Sequence, residues 1–127
     1  MIKGYEDLEI YKEGYTLAIA AYKLTERYPE HVRYEMGRQI RNACVSVPMN
    51  IAEGYGKSES ELEFKRYLRM AMGSCNELAV LFDLSCDLGY ISEPERSEMK
   101  QRYNVLGKRI NATIQKWKKP NRTKTPT

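Results

Sequence analysis

A chain of 127 residues, 42% hydrophobic and 30% charged, is sized for one globular domain. It contains no run of about 18 apolar residues, so no membrane span is expected. Its opening Met1–Asp7 lacks the apolar stretch of an export signal. The formal charge is +4, from 21 Lys+Arg and 17 Asp+Glu. Lys116, Lys118, Lys119, Arg122 and Lys124 fall in the last stretch, and without these cations the remainder carries −1. Cys44, Cys75 and Cys86 match no zinc or redox spacing, and the expectation is reduced, mostly buried thiols in a cytoplasmic protein.

The first predicted helix covers about residues 7–28. Leu8, Tyr11, Tyr15, Ala18, Tyr22 and Thr25 recur at steps of three and four, and Ile10, Leu17 and Leu24 form a second line beside Ala21. That apolar and aromatic surface is wider than the roughly 100° stripe a helix in a small monomer needs. The surplus predicts burial on two sides, one of them against another subunit. Pro29 ends the segment, because the residue before a proline is pushed out of the helical region.

The second predicted helix covers about residues 33–55. Met36, Ile40, Ala43, Cys44, Val47 and Ile51 make its apolar line. Gln39, Asn42, Ser46, Asn50 and Glu53 form a polar line at the same spacing, with Arg38 and Arg41 alongside. Pro48 sits inside this pattern, where a proline removes a backbone hydrogen bond at a cost of roughly 3 kcal/mol or more. A local opening or bend is expected there, with compensation from its neighbours. Gly54 and Gly56 read as the stop.

Ser58 with Glu61 and Ser60 with Glu63 both fit a capping box and restart the chain. The third predicted helix covers about residues 61–88. Phe64, Tyr67, Leu68, Ala71, Cys75, Leu78, Phe82 and Ser85 form its core line, and Met70, Ser74, Glu77, Leu81, Leu84 and Leu88 a second one. Gly73 costs about 1 kcal/mol relative to alanine in mid-helix, so close approach of a neighbouring helix is expected there. After Gly89, Ser92-Glu93-Pro94-Glu95 opens the fourth helix, which runs to about residue 118 with Met99, Tyr103, Leu106, Ile110, Thr113 and Trp117 on its seam.

No segment alternates with a period of two between turn signals. The fold class expected is therefore all-α, an antiparallel up-down-up-down four-helix bundle over residues 1–119, followed by a basic flexible tail over residues 120–127.

Motifs of catalysis are missing. His31 is the one histidine, placed in a turn, so no Glu-x-x-His metal pair forms. There is no glycine-rich phosphate loop, no nucleophile elbow and no Cys/His metal spacing. A serine without a base is a poor nucleophile. No catalytic residue, metal or cofactor is expected. If the second and third helices run antiparallel, Ser46, Asn50 and Glu53 meet Ser74 and Glu77, with Arg38 or Arg41 supplying a cation. Buried polar groups must pair, so this network either sets helix register or forms a binding site.

At these residues the chain resembles a known family. Gln39-Ile40-Arg41-Asn42-Ala43, Ser46-Val47-Pro48-Met49-Asn50-Ile51-Ala52-Glu53-Gly54, Phe64-Lys65-Arg66-Tyr67-Leu68 and Ala71-Met72-Gly73-Ser74-Cys75-Asn76-Glu77-Leu78 strongly resemble the 23S rRNA intervening-sequence proteins. Tyr5–Tyr11 and Leu88-Gly89-Tyr90-Ile91 are similar too, and the likeness extends to about Trp117. Valine stands at position 47 where isoleucine is common, and the basic tail lies outside the pattern. The resemblance implies a bacterial, cytoplasmic four-helix bundle that assembles as a homopentamer. It carries over no catalytic residue; Ser46, Pro48, Asn50, Glu53, Gly54, Ser74 and Glu77 carry over as signature positions only. The family is also similar to the accessory variability determinant of diversity-generating retroelements, a pentamer that binds nucleic acid and a reverse transcriptase.

Two functions follow as expectations. One is RNA or DNA binding, with Lys116, Lys118, Lys119, Arg122, Lys124, Arg38 and Arg41 as the candidate phosphate contacts. The other is a protein scaffold or accessory subunit, such as a reverse-transcriptase partner, suggested by the broad aromatic face of the first helix.

Overall fold

The computed structural model describes residues 1–117. A short 3-10 turn, Tyr5–Asp7, precedes α1 (Glu9–Thr25), α2 (Glu30–Arg33), α3 (Met36–Gly56), α4 (Glu61–Asp87) and α5 (Glu93–Lys116). The four long helices match the predicted ones to within a few residues. The additions are the entry turn and α2, a single turn with Pro29 at its N-cap. Lys118 and the basic tail lie outside the described residues.

Side-chain pairings fix the topology. Ser46 meets Ser74 while Met36 meets Ser85, so α4 runs opposite to α3. Asp83 faces Arg96 and Lys100 while Phe64 meets Trp117 edge-on, so α5 runs opposite to α4. Glu13 pairs with Arg102 and Arg27 with Glu95, which closes α1 against α5. The result is an antiparallel, up-down-up-down bundle.

The core follows the apolar lines of α3, α4 and α5. Ile40, Cys44, Val47, Ile51, Phe64, Leu68, Leu78, Phe82, Tyr103, Leu106 and Ile110 are fully buried. Ile114 rather than Thr113 completes the α5 seam. Of the two capping boxes before α4, only the Ser60 N-cap bond forms, from the Glu63 N–H, because Glu63 turns its carboxylate to Arg66. Ser92 and Glu95 make the full reciprocal box that starts α5.

Of the two lines on the first helix, the bundle itself buries one. Its core side is Ile10, Gly14, Leu17, Ala18, Ala21 and Thr25. Tyr15 and Tyr22 point outward, and Tyr11 is half-buried. Met70, Leu84 and Leu88 of the second α4 line are likewise exposed, and only Leu81 of its apolar members is buried.

Two glycines change their meaning. α3 continues through Gly56, so Gly54 is not its stop. A Cβ on Gly54 would stand 2.7 Å from Tyr67 Cβ and 3.3 Å from the Phe64 carbonyl oxygen, so this residue lets α4 pass close to α3. Gly73, expected at such a crossing, has nothing within 4 Å of the corresponding position and faces outward on α4. Gly54→Ala should therefore lower unfolding stability by about 1–3 kcal/mol through overpacking. Gly73→Ala should raise it by about 0.5–1 kcal/mol through helix propensity. Urea unfolding of the two variants reads both signs.

Candidate functional site

The polar line of α3 is built around Pro48. The helix runs unbroken from Met36 to Gly56, so the proline does not end it. Pro48 is buried, and Gly14 of α1 packs on it; a Cβ there would lie 3.2 Å from Val47 Cγ1 and 3.7 Å from the proline nitrogen. Side chains add hydrogen bonds on either side of the missing N–H. Ser46 Oγ donates to the Ala43 carbonyl at 2.7 Å, and Asn50 Nδ2 donates to the Ser46 carbonyl at 2.8 Å. The Ser46 and Ser74 hydroxyls meet at 2.5 Å, the one expected polar contact between α3 and α4 that the fold makes.

The rest of the expected network does not assemble. Glu53 accepts from the Tyr67 hydroxyl at 3.2 Å rather than meeting Ser74, and Glu77 is exposed on the outer side of α4. Arg41 turns the other way. Its guanidinium donates to Thr25 Oγ1 at 3.2 Å and the Arg33 carbonyl at 3.0 Å, and it lies over the Tyr22 ring. This arginine ties α1 and α2 to α3. Arg38 is exposed near the start of α3. Lys116 is exposed at the end of α5, next to Trp117, which packs on Tyr55 and Phe64 at the opposite end of the bundle. Arg38 and Lys116 therefore do not converge. Lys118, Lys119, Arg122 and Lys124 fall outside the described residues.

Two surfaces remain. The first is an apolar groove of about 560 Å³ between α1 and α3. Tyr5, Tyr11, Tyr15, Ile19 and Tyr22 line one wall, and Val45, Pro48, Met49 and Ala52 the other. Tyr5 meets Tyr11 edge-on at 4.9 Å, and Tyr11 and Tyr15 lie 5.9 Å apart. Burial, with Tyr5 and Tyr15 nearby, raises the Tyr11 pKa above its ordinary value, so its hydroxyl stays protonated at neutral pH. Tyr15 (52%), Tyr22 (46%) and Met49 (60%) are as exposed as ordinary surface residues, an uneconomical place for large apolar side chains in a monomer.

The second is electrostatic, and composition alone could have shown it. Glu98 is the last acid of the chain. Residues 1–98 carry −5 and residues 99–127 carry +9, so the excess begins on α5, well before the tail. Among the described residues, Arg102 is engaged with Glu13 and Lys100 with Asp83, whereas Lys108, Arg109 and Lys116 make no ion pair.

The chemistry of the thiols adds nothing reactive. Burial pushes Cys44 up to about 11 and Cys75 up to about 12. No cluster of three or more His, Cys, Asp or Glu able to hold a metal occurs among the described residues, and none of the described helices is long and apolar enough to cross a membrane.

The hydroxyl pair is testable by a double-mutant cycle. Ser46→Ala and Ser74→Ala should each cost about 0.5–1.5 kcal/mol, and the double variant should cost less than their sum because the shared bond is lost only once. Additive losses in urea unfolding would dismiss the coupling.

No curated protein matches the chain. The sequence model of the family described as 23S rRNA-intervening sequence protein matches residues 6–112, a span that takes in the α3 signature, the Ser46–Ser74 contact and most of α5. The chain belongs to the 23S rRNA-intervening sequence protein family.

Proposed function

We propose that this protein is a non-enzymatic, self-assembling four-helix bundle that binds RNA through its C-terminal cations. The observation that carries the proposal is the charge segregation: nothing acidic follows Glu98, while Lys108, Arg109, Lys116 and the tail cations do. Such a stretch attracts phosphate backbones by a sequence-independent, salt-sensitive mechanism. The family's name points to an RNA context, and five copies in a ring, the assembly implied by the family resemblance, would multiply the charge. The groove between α1 and α3 supports assembly, since a helix from another copy would cover its exposed tyrosines.

A second reading is favoured by the same groove: a scaffold that docks the helix of a different protein there. The two separate by experiment. Tyr22→Asp with Met49→Asp should convert the protein to a species near 14.8 kDa in light scattering if copies of this chain fill the groove. A wild-type protein already at that mass removes the assembly and leaves the groove to another partner.

Two further outcomes follow. Ending the chain after Lys116 should weaken RNA binding and flatten the dependence of log K on log salt by up to about 3, from four lost phosphate contacts. Unchanged binding would sink the tail's part. Two of the three thiols, Cys44 and Cys75, should be poor nucleophiles in the folded protein. At pH 8 a thiol reagent should modify the half-exposed Cys86 in the native state, and Cys44 and Cys75 only after unfolding, because so little thiolate exists at that pH.

A further inference from the structure

The exposed side of α5 is more specific than its charge requires. Gln101, Asn104, Lys108, Asn111 and Gln115 stand at steps of three and four, and all are exposed. This row of four amides and one lysine is straight and spans roughly 21 Å. None of these side chains makes a hydrogen bond among the described residues, although each has spare donors and the amides spare acceptors. α4 supplies the adjoining bank. Asn76 lines, with Asn104, Lys108 and Asn111, a shallow depression of about 390 Å³ between the helices. Arg69 lies on the same side of α4, two turns before Asn76. On the other flank of the row, Arg109 and Lys116 form an exposed cationic edge.

Acids stand only at the borders of this surface, Glu98 exposed one turn before Gln101 and Glu77 exposed on the outer side of α4 beside Asn76. α4 has none between Glu63 and Glu77, α5 has none after Glu98, and Asp83, which closes the valley, is occupied by Arg96 and Lys100. Aromatic rings are excluded; the exposed residues of α5 from Gln101 to Lys116 are all aliphatic, amide or cationic. A single-strand binder needs rings on which unstacked bases lie. Its opposite is found here: a straight bank of groups that both donate and accept, edged by cations on two sides. That is the chemistry of the wide, shallow minor groove of an A-form helix, where 2′-hydroxyls donate and accept and phosphates rim both edges.

We infer that the α4–α5 face binds double-stranded RNA, its amides on the 2′-hydroxyls and its flanking cations on the phosphates. The inference rests on the RNA-binding reading above and narrows it to paired RNA and to this face.

The test uses the full-length protein and three probes of one sequence: a paired RNA stem of about 16 base pairs, one of its strands alone, and the DNA duplex. Wild-type protein should hold the RNA stem about tenfold or more tighter than the other two. Asn104→Ala with Asn111→Ala should abolish the preference of RNA stem over DNA duplex and leave the salt slope unchanged, because no charge is removed. Lys108→Glu should weaken binding to both duplexes and flatten the slope. Unchanged thermal unfolding confirms that these exposed substitutions act on binding. Equal affinity for strand and stem, or an unaltered RNA preference in the amide double variant, overturns this inference while RNA binding itself stands. Absence of binding to every probe overturns both.

Discussion

The close approach of α3 to the helices on either side of it is the constraint on which the rest of the bundle depends. On one side Gly14 of α1 lies against Val47 and Pro48; on the other Gly54 lies against Tyr67 and the Phe64 backbone. A methyl group at Gly54 would clash with Tyr67, and one at Gly14 would press on Val47. Pro48 fits the first crossing because it is compact and buried there, and the lost backbone bond is confined to one position by the side-chain bonds of Ser46 and Asn50 to neighbouring carbonyls. With α3 held centrally, the Ser46–Ser74 contact sets the register of α4. The polar signature thus serves the shape of the bundle, and chemistry on partners is left to the outer surfaces.

That division explains why α1 wears its tyrosines outside. α1 presses on α3 with small residues, Gly14, Ala18 and Ala21, and so cannot present large rings to the same side. Tyr11, Tyr15 and Tyr22 are displaced to the flank, where with Val45 and Met49 they wall the groove. Arg41 stiffens this arrangement from the far end. It bridges Thr25, the Arg33 carbonyl and the Tyr22 ring, and a cation so engaged is structural.

The helices were legible because their periodicity is strong, their connections are short, and Ser60 and Ser92 cap α4 and α5. The lines of α3 and the core line of α4 needed no correction. What spacing could not resolve was direction. Two apolar lines on α1 are equivalent to a periodicity count, and only the size of the residues, glycine and alanine against tyrosine, tells which one faces a close neighbour. Gly54 and Gly73 posed the same problem: a glycine's purpose depends on what lies across from it, and that is tertiary information. The polar network failed partly for a similar reason, because Glu77 shares the three-four spacing of Ser74 yet is rotated out of reach.

The charge was legible in full and was read too narrowly. Counting the cations after residue 115 placed the excess in a tail; asking where the last acid stands places its origin at Glu98, inside the folded domain. The difference is physical. Charge by itself attracts any phosphate chain, whatever its shape. A helix holds its cations and amides at fixed separations, so it can favour one backbone geometry over another. On α5 the amide row and the cationic edge are separated by about a quarter-turn of one rigid cylinder. Under the proposed RNA binding, the cations set the dependence on salt and the amide row the preference for one backbone shape.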